Sequence, residues 1–169
     1  MFKFFFVLLA SIVSVAQAQN VNRTRSTGVI NNVQKTDQFG IGLQGGSYSG
    51  VDLAYWLTNQ SALNGTVSAS YGNTDISLAY LSYFRESMSG DVSPYVGVGA
   101  ILGFGKGYDI FDRVGSTYEN AGAVQIPIGL EFLPHAQRFS IYGEIAPSLE
   151  VYPMSFGFIT ADVGAKFFF

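Results

Sequence analysis

The sequence predicts an all-β protein, an eight-stranded antiparallel up-and-down transmembrane β-barrel. Three observations support this fold class: eight runs with strand character, charged residues confined to one face of those runs, and an unusual composition. Charged residues make up 12% of the chain and aromatic residues 15%, whereas soluble domains carry roughly 25% charged residues. The scarcity of charge favours an outer surface that contacts lipid.

The first 18 residues have the three parts of a secretory signal peptide. Lys3 is followed by an apolar run over 4–15 and by the small-residue site at 16–18. We expect cleavage before Gln19. A retained membrane-spanning helix would need roughly 20 apolar residues, and this run is shorter and is interrupted by polar residues.

Residues 19–38 are polar and have little periodicity, so they predict a lead-in before a barrel over 39–169. Turn residues separate eight runs of strand character in the barrel region. The runs are 39–47, 50–57, 62–71, 75–84, 94–104, 120–133, 139–151 and 158–169. Eight is the smallest strand number of outer-membrane barrels, and the longest connection, 105–119, falls on the extracellular side if the carboxyl terminus is periplasmic.

Apolar and polar residues alternate along most of these runs. In the second run, Val51 and Leu53 lie on one face and Asp52 lies on the other. Lipid cannot solvate a charge, whereas a barrel interior can pair one, so the apolar set predicts the outward face. The fourth run carries two competing apolar sets and the fifth is dominated by glycine, which leaves their register open.

The charges that fall well inside the strands all lie on the predicted inward face. They are Asp52, Glu131, Glu144, Glu150, Asp162 and Lys166. Side chains fill the interior of a narrow barrel, and buried charges persist there when they are paired. We therefore expect a structural network, with Lys166 beside Glu144, in preference to a general acid and base pair.

The sequence has few of the residues that commonly carry out catalysis or bind metals. The chain has no cysteine, which excludes thiolate catalysis and cysteine-ligated metals. His135 is the single histidine and lies in a predicted turn. Asp109, Asp112 and Glu119 lack the spacing of a calcium loop. We predict no enzyme activity, no catalytic residue, no metal and no cofactor. Nine Lys and Arg against twelve Asp and Glu, without a basic block, argue against nucleic acid as a partner.

Four segments recur in this order in a known family: the glycine-rich strand over 94–104, the segments 127–132 and 141–147, and the ending over 161–169. On these residues the chain resembles the small bacterial outer-membrane β-barrels of the OmpX and OmpW-like group, although Phe167 stands where tyrosine is commoner. The resemblance implies a location in the outer membrane after signal-peptide cleavage and contact with outer-membrane lipid and lipopolysaccharide. It also implies that Phe169 and the last strand are recognised by the outer-membrane assembly machinery.

The expected function is a structural or surface-interaction role through the extracellular loops. Tyr108, Phe111 and Tyr118, in the connection 105–119, are the candidate contacts for an external partner, because exposed loop aromatics suit binding. Two alternatives stay open. One is transport of a small apolar solute through space left by inward glycines, namely Gly97, Gly99 and Gly129. The other is a soluble periplasmic lipocalin-like barrel with inverted alternation and an apolar ligand inside.

Overall fold

The computed structural model describes residues 38–70, 73–84, 91–105, 120–133, 138–152 and 154–169. The predicted signal peptide, nearly all of the lead-in, the loop residues Tyr108, Phe111 and Tyr118, and His135 lie outside these ranges. The predictions about them remain predictions.

The described residues form strands and connections, with no helix among them. The strands are β1 (Phe39–Gly46), β2 (Ser49–Thr58), β3 (Ser61–Ser70), β4 (Asn73–Tyr83), β5 (Val92–Phe104), β6 (Asn120–Gln125), β7 (Ile128–Phe132), β8 (Phe139–Tyr152) and β9 (Met154–Phe168). All neighbours pair antiparallel in one sheet, ordered β4-β3-β2-β1-β9-β8-β6-β5-β7, and pairings of β4 with β5 and of β7 with β8 close it into a ring. The predicted all-β antiparallel class is confirmed.

The strand count differs from the prediction, because the run expected over 120–133 is two strands. Pro127 interrupts it, since proline has no N–H group with which to continue a ladder. Both β6 and β7 nevertheless lie between β5 and β8. Gly97 N–H donates to Pro127 O at 2.8 Å and Ile126 N–H donates to Pro147 O at 2.9 Å. The nine strands therefore occupy eight positions around the ring.

The strands are staggered around the ring. One row of cross-strand partners runs Ile41, Leu53, Gly65, Leu78, Ala100, Val124, Leu149 and Gly157. The row reaches β9 at Gly157, whereas the direct partner of Ile41 on β9 is Phe167. A closed sheet with such an offset has strands tilted against its axis.

The two faces of the ring differ sharply in chemistry. Large apolar side chains are exposed on the outer face of every described strand except β6. They include Leu43, which is 69% exposed, and Ile159, which is 74% exposed. Asp52, Glu150 and Lys166 are all at least 97% buried inside the ring. The inverted arrangement of a soluble ligand-binding barrel would place carboxylates such as Glu150 in solvent, and the ring does not have that arrangement.

The register of β4, which the sequence left open, follows from interior packing. Ile76 and Leu78 point outward, whereas Leu81 and Tyr83 are buried. The inward pair belongs to a cluster that also contains Trp56. Contact with these aromatic neighbours decides which of the two competing apolar sets of β4 faces inward.

The break between β6 and β7 yields a prediction for hydrogen exchange. We expect β6 and β7 to behave as one continuous strand of the closed sheet. The amides of Gly97 and Ile126 should then exchange as slowly as those of regular ladder positions, because both donate hydrogen bonds at the break between the two strands. Amide exchange measured by NMR on the folded protein tests this. Fast exchange at both amides, with slow exchange along β2 and β3, would show that β6 and β7 do not behave as one continuous strand.

Candidate functional site

The centre of the interior is built around one ion pair. Lys166 Nζ lies 3.3 Å from Asp52 Oδ2, and the two side chains are 2% and 0% exposed. Tyr142 OH donates to the same Asp52 oxygen at 2.7 Å, and Thr66 Oγ1 donates to Oδ1 at 3.4 Å. Lys166 Nζ also lies 4.2 Å from the centre of the Tyr142 ring. The carboxylate and the ammonium therefore both have partners, which a buried pair requires.

Two further carboxylates of the predicted network are held by hydroxyl groups. Ser140 Oγ donates to Glu131 Oε1 at 2.5 Å, and both residues are almost completely buried. Tyr95 OH donates to Glu144 Oε2 at 2.7 Å. The expected pairing of Lys166 with Glu144 is replaced by its ion pair with Asp52, because the lysine stem reaches across β1 to β2.

The remaining predicted charges lie towards the end of the ring from which the connection 105–119 departs. Asp162 Oδ1 accepts the backbone N–H of Tyr48 at 3.0 Å. Glu150 is 2% exposed and lies on β8 opposite Ala123. Asp75, which the sequence analysis did not single out, is 1% exposed on β4. Asp75 lies on the same face of β4 as the buried Leu81, so the alternation would have predicted it to be inward if the sequence had decided which face of β4 is inward.

Aromatic rings close the interior at the opposite end. The Trp56 ring centre lies 4.6 Å from that of Tyr83, and the Tyr83 ring centre lies 5.1 Å from that of Tyr95. Phe168 packs on Trp56 at 6.2 Å. These rings form one buried cluster with Leu81 and several alanines. The end of the ring near the carboxyl terminus is therefore filled.

The inward glycines provide the room that these large side chains occupy. Tyr95 lies opposite Gly129, Tyr142 opposite Gly164, and Phe168 opposite Gly40. A Cβ atom on Gly129 would lie 2.5 Å from the Tyr95 ring, and one on Gly164 would lie 2.6 Å from the Tyr142 ring. Each ring thus covers the glycine of the neighbouring strand, a known way of packing such positions.

Transport of a small apolar solute would need open space beside three inward glycines, and that space is also occupied. Gly97 lies under Leu81 and Pro127, Gly99 lies against Ala79, and Gly129 lies under Tyr95. Between the ion pair and the loop-side end, a polar cavity of about 30 Å³ is lined by residues including Asn64, Thr66 and Gln125. That volume exceeds the roughly 10–15 Å³ that one water molecule needs, so the cavity can hold water. The space at these three glycines, in contrast, is filled by neighbouring side chains.

The carboxyl terminus contributes to the outer surface. Phe169 is exposed, and its N–H donates to Phe39 O at 2.8 Å. Its ring lies 6.5 Å from that of Phe39 and 5.2 Å from that of Phe167. The residue predicted as an assembly signal therefore sits at the junction of the first and last strands, with its side chain accessible.

The described ranges contain no group of three or more His, Cys, Asp or Glu side chains arranged to hold a metal ion. Nor do they contain a helix with the length and hydrophobicity to cross a membrane. The interior carboxylates point to a structural network more directly than to a reaction centre, because Asp52, Glu131 and Glu144 are held by side-chain donors.

Comparison with protein-family models, with curated protein sequences and with solved structures finds no match to this chain. The resemblance to OmpX and OmpW-like barrels stays a prediction from the sequence.

Substitution of two neighbouring glycines tests the packing of the interior. Gly129→Ala is expected to destabilise the fold by about 1–3 kcal/mol, the usual cost of overpacking. The new methyl group would collide with Tyr95, which the Glu144 bond holds in place. Gly143→Ala is the matched control on β8, because its Cβ would meet only Val163 Cγ1, at 4.0 Å. Urea unfolding measures both, and equal stabilities would contradict the packing described.

Proposed function

We propose that this chain is an integral outer-membrane β-barrel with a structural or surface-interaction role and no porin-like conduction. The observation that carries the proposal is the outer face of the ring, where exposed side chains such as Leu78, Ile145 and Val163 are apolar. Soluble monomers rarely expose contiguous apolar patches larger than a few hundred Å². A lipid environment removes this cost, and a closed sheet leaves few backbone groups unpaired there.

Aromatic residues at the ends of the outer face support the same proposal. One end carries exposed Phe39, Tyr55, Phe84, Phe132, Phe167 and Phe169, and the other carries exposed Phe104 and Tyr152. Barrels in membranes have aromatic girdles at both interfaces, with an apolar band between them. In this proposal the denser girdle, at the end of the carboxyl terminus, is periplasmic.

The role of the protein is proposed to reside at the opposite end. The connection from β5 to β6 leaves the ring there and carries Tyr108, Phe111 and Tyr118. The packed interior favours a role at the surface over transport. Lipid and lipopolysaccharide are the proposed surroundings, and the assembly machinery is the proposed partner of the last strand.

A single charge on the outer face tests contact with lipid. Ile145→Lys is expected to destabilise the membrane-inserted protein by about 2–4 kcal/mol, the cost of a lysine near the midplane. Asn59→Lys is the control, since Asn59 is exposed in the turn between β2 and β3. Urea unfolding in lipid vesicles measures both variants. If Ile145→Lys is as harmless as Asn59→Lys, the outer face does not contact lipid.

Replacement of the loop aromatics tests the surface role. The variant Tyr108→Ser, Phe111→Ser, Tyr118→Ser is expected to keep the ring intact, because the ladders and interior contacts of the described residues involve none of these three side chains. It is expected to bind lipopolysaccharide vesicles several-fold more weakly, since aromatic anchors dominate many interfaces. The protein is first inserted into phosphatidylcholine nanodiscs. Its co-sedimentation with lipopolysaccharide vesicles then measures this binding. Unchanged binding by the triple variant would contradict a role for these aromatics in lipopolysaccharide contact.

A further inference from the structure

The junction of β1 and β9 differs from the other junctions in how its register can be set. Phe39–Gly46 and Met154–Phe168 are the neighbouring strands that lie furthest apart along the chain. A hairpin fixes its register through the length and type of its turn. No such turn joins β1 to β9, so side chains must decide which residues meet.

The sequence of β1 discriminates poorly between registers. Its outward residues Phe39, Ile41 and Leu43 are all large and apolar. Its inward residues Gly40 and Gly42 are identical, and Gln44 is the next residue on that face. A slip of two residues keeps every side chain on its own face, and in one direction it places Gly40 where Gly42 was. Glycine-rich strands are weakly specified in this way.

The buried ion pair spans this junction. Lys166 on β9 lies opposite Gly42 on β1, and Gly42 lies opposite Asp52 on β2. The lysine stem passes over Gly42, where a Cβ atom would lie 2.9 Å from Lys166 Cγ. The ammonium then meets Asp52 Oδ2 at 3.3 Å, and Tyr142 OH holds that same oxygen from β8.

We propose that the Lys166–Asp52 ion pair sets the register in which the ring closes. A slip of two residues in one direction places Lys166 opposite Gly40, whose partner on β2 is Ala54. A slip in the other direction places it opposite Gln44, whose partner is Gly50. Neither row offers a carboxylate, so a slipped ring separates the buried ammonium of Lys166 from Asp52, and breaking a buried ion pair is strongly unfavourable.

Other polar contacts also cross the junction, and among them Tyr142 OH on β8 donates to Gln44 Oε1 on β1 at 3.1 Å. Asp162 on β9 accepts the N–H of Tyr48, and Ser47 N–H donates to Ala161 O at 3.0 Å. These contacts add to the registration of the two strands. They are left unchanged in every variant below, so the effect of the ion pair is measured on its own.

The absence of cysteine from the chain makes disulfide trapping a clean test. Leu43→Cys with Ala165→Cys reports the native register, because these residues are direct partners. Leu43→Cys with Phe167→Cys and Ile41→Cys with Ala165→Cys report the two slipped registers. Their diagonal separation of roughly 7–8 Å in the native ring disfavours a bond.

The expected result is that the native pair alone cross-links when Lys166 is present. With Lys166→Met or Asp52→Asn, the slipped pairs should cross-link roughly tenfold or more above that background, because the buried charge pair no longer opposes the slip. Glu131→Gln is the control, since it alters a buried carboxylate whose partner Ser140 lies only nine residues away. It should leave the slipped pairs at background.

Folded Lys166→Met and Asp52→Asn variants that cross-link only in the native register would overturn the proposal. If the variants fail to fold, the native disulfide between positions 43 and 165 decides. Setting the register covalently should restore folding to Lys166→Met when registration is the task of the ion pair. Failure to fold with that disulfide in place would overturn the proposal equally.

Discussion

Closure of the sheet between β1 and β9 is the constraint on which the rest of the structure depends. An open antiparallel sheet of this length would expose two strand edges and two faces to its surroundings. Closure pairs the first strand with the last and creates an inside, and alternation then assigns every side chain to one of two environments. The outward set is apolar, and the inward set combines charges, hydroxyl groups, rings and glycines.

The inside has to be filled and its charges have to be partnered. Large inward side chains lie opposite glycines on the next strand, as Tyr95 does with Gly129 and Tyr142 with Gly164. The phenol groups of the same two tyrosines then bind Glu144 and Asp52. One set of residues thus fills the volume and satisfies the carboxylates. Because the same side chains fill the interior and bind its carboxylates, a structural role is favoured for the interior, and a functional role is favoured for the outer face and the loops.

Much of the fold could be predicted from the sequence, because a period of two is easily detected over long strands. The faces of Asp52 and Glu150 followed from alternation alone, and both residues are buried. The break at Pro127 was missed, since the run around it keeps its apolar parity on both sides. The face of β4 could not be decided, because Leu78 and Leu81 are equally apolar and only contact with distant aromatic residues separates them.

The partner of Lys166 depends on the register of β1 with β9, which local sequence does not encode. The chemistry of any external partner depends on loop residues whose spacing follows no general motif.

The central claim is that the apolar outer face of the ring contacts membrane lipid. The most direct measurement separates the outer-membrane and periplasmic fractions of cells that export the chain, and compares the gel mobility of boiled and unboiled samples. If the outer face contacts lipid, the protein will be recovered in the outer membrane, with a gel mobility that changes on heating as the closed ring unfolds. Recovery as a folded protein in the soluble periplasmic fraction would contradict it.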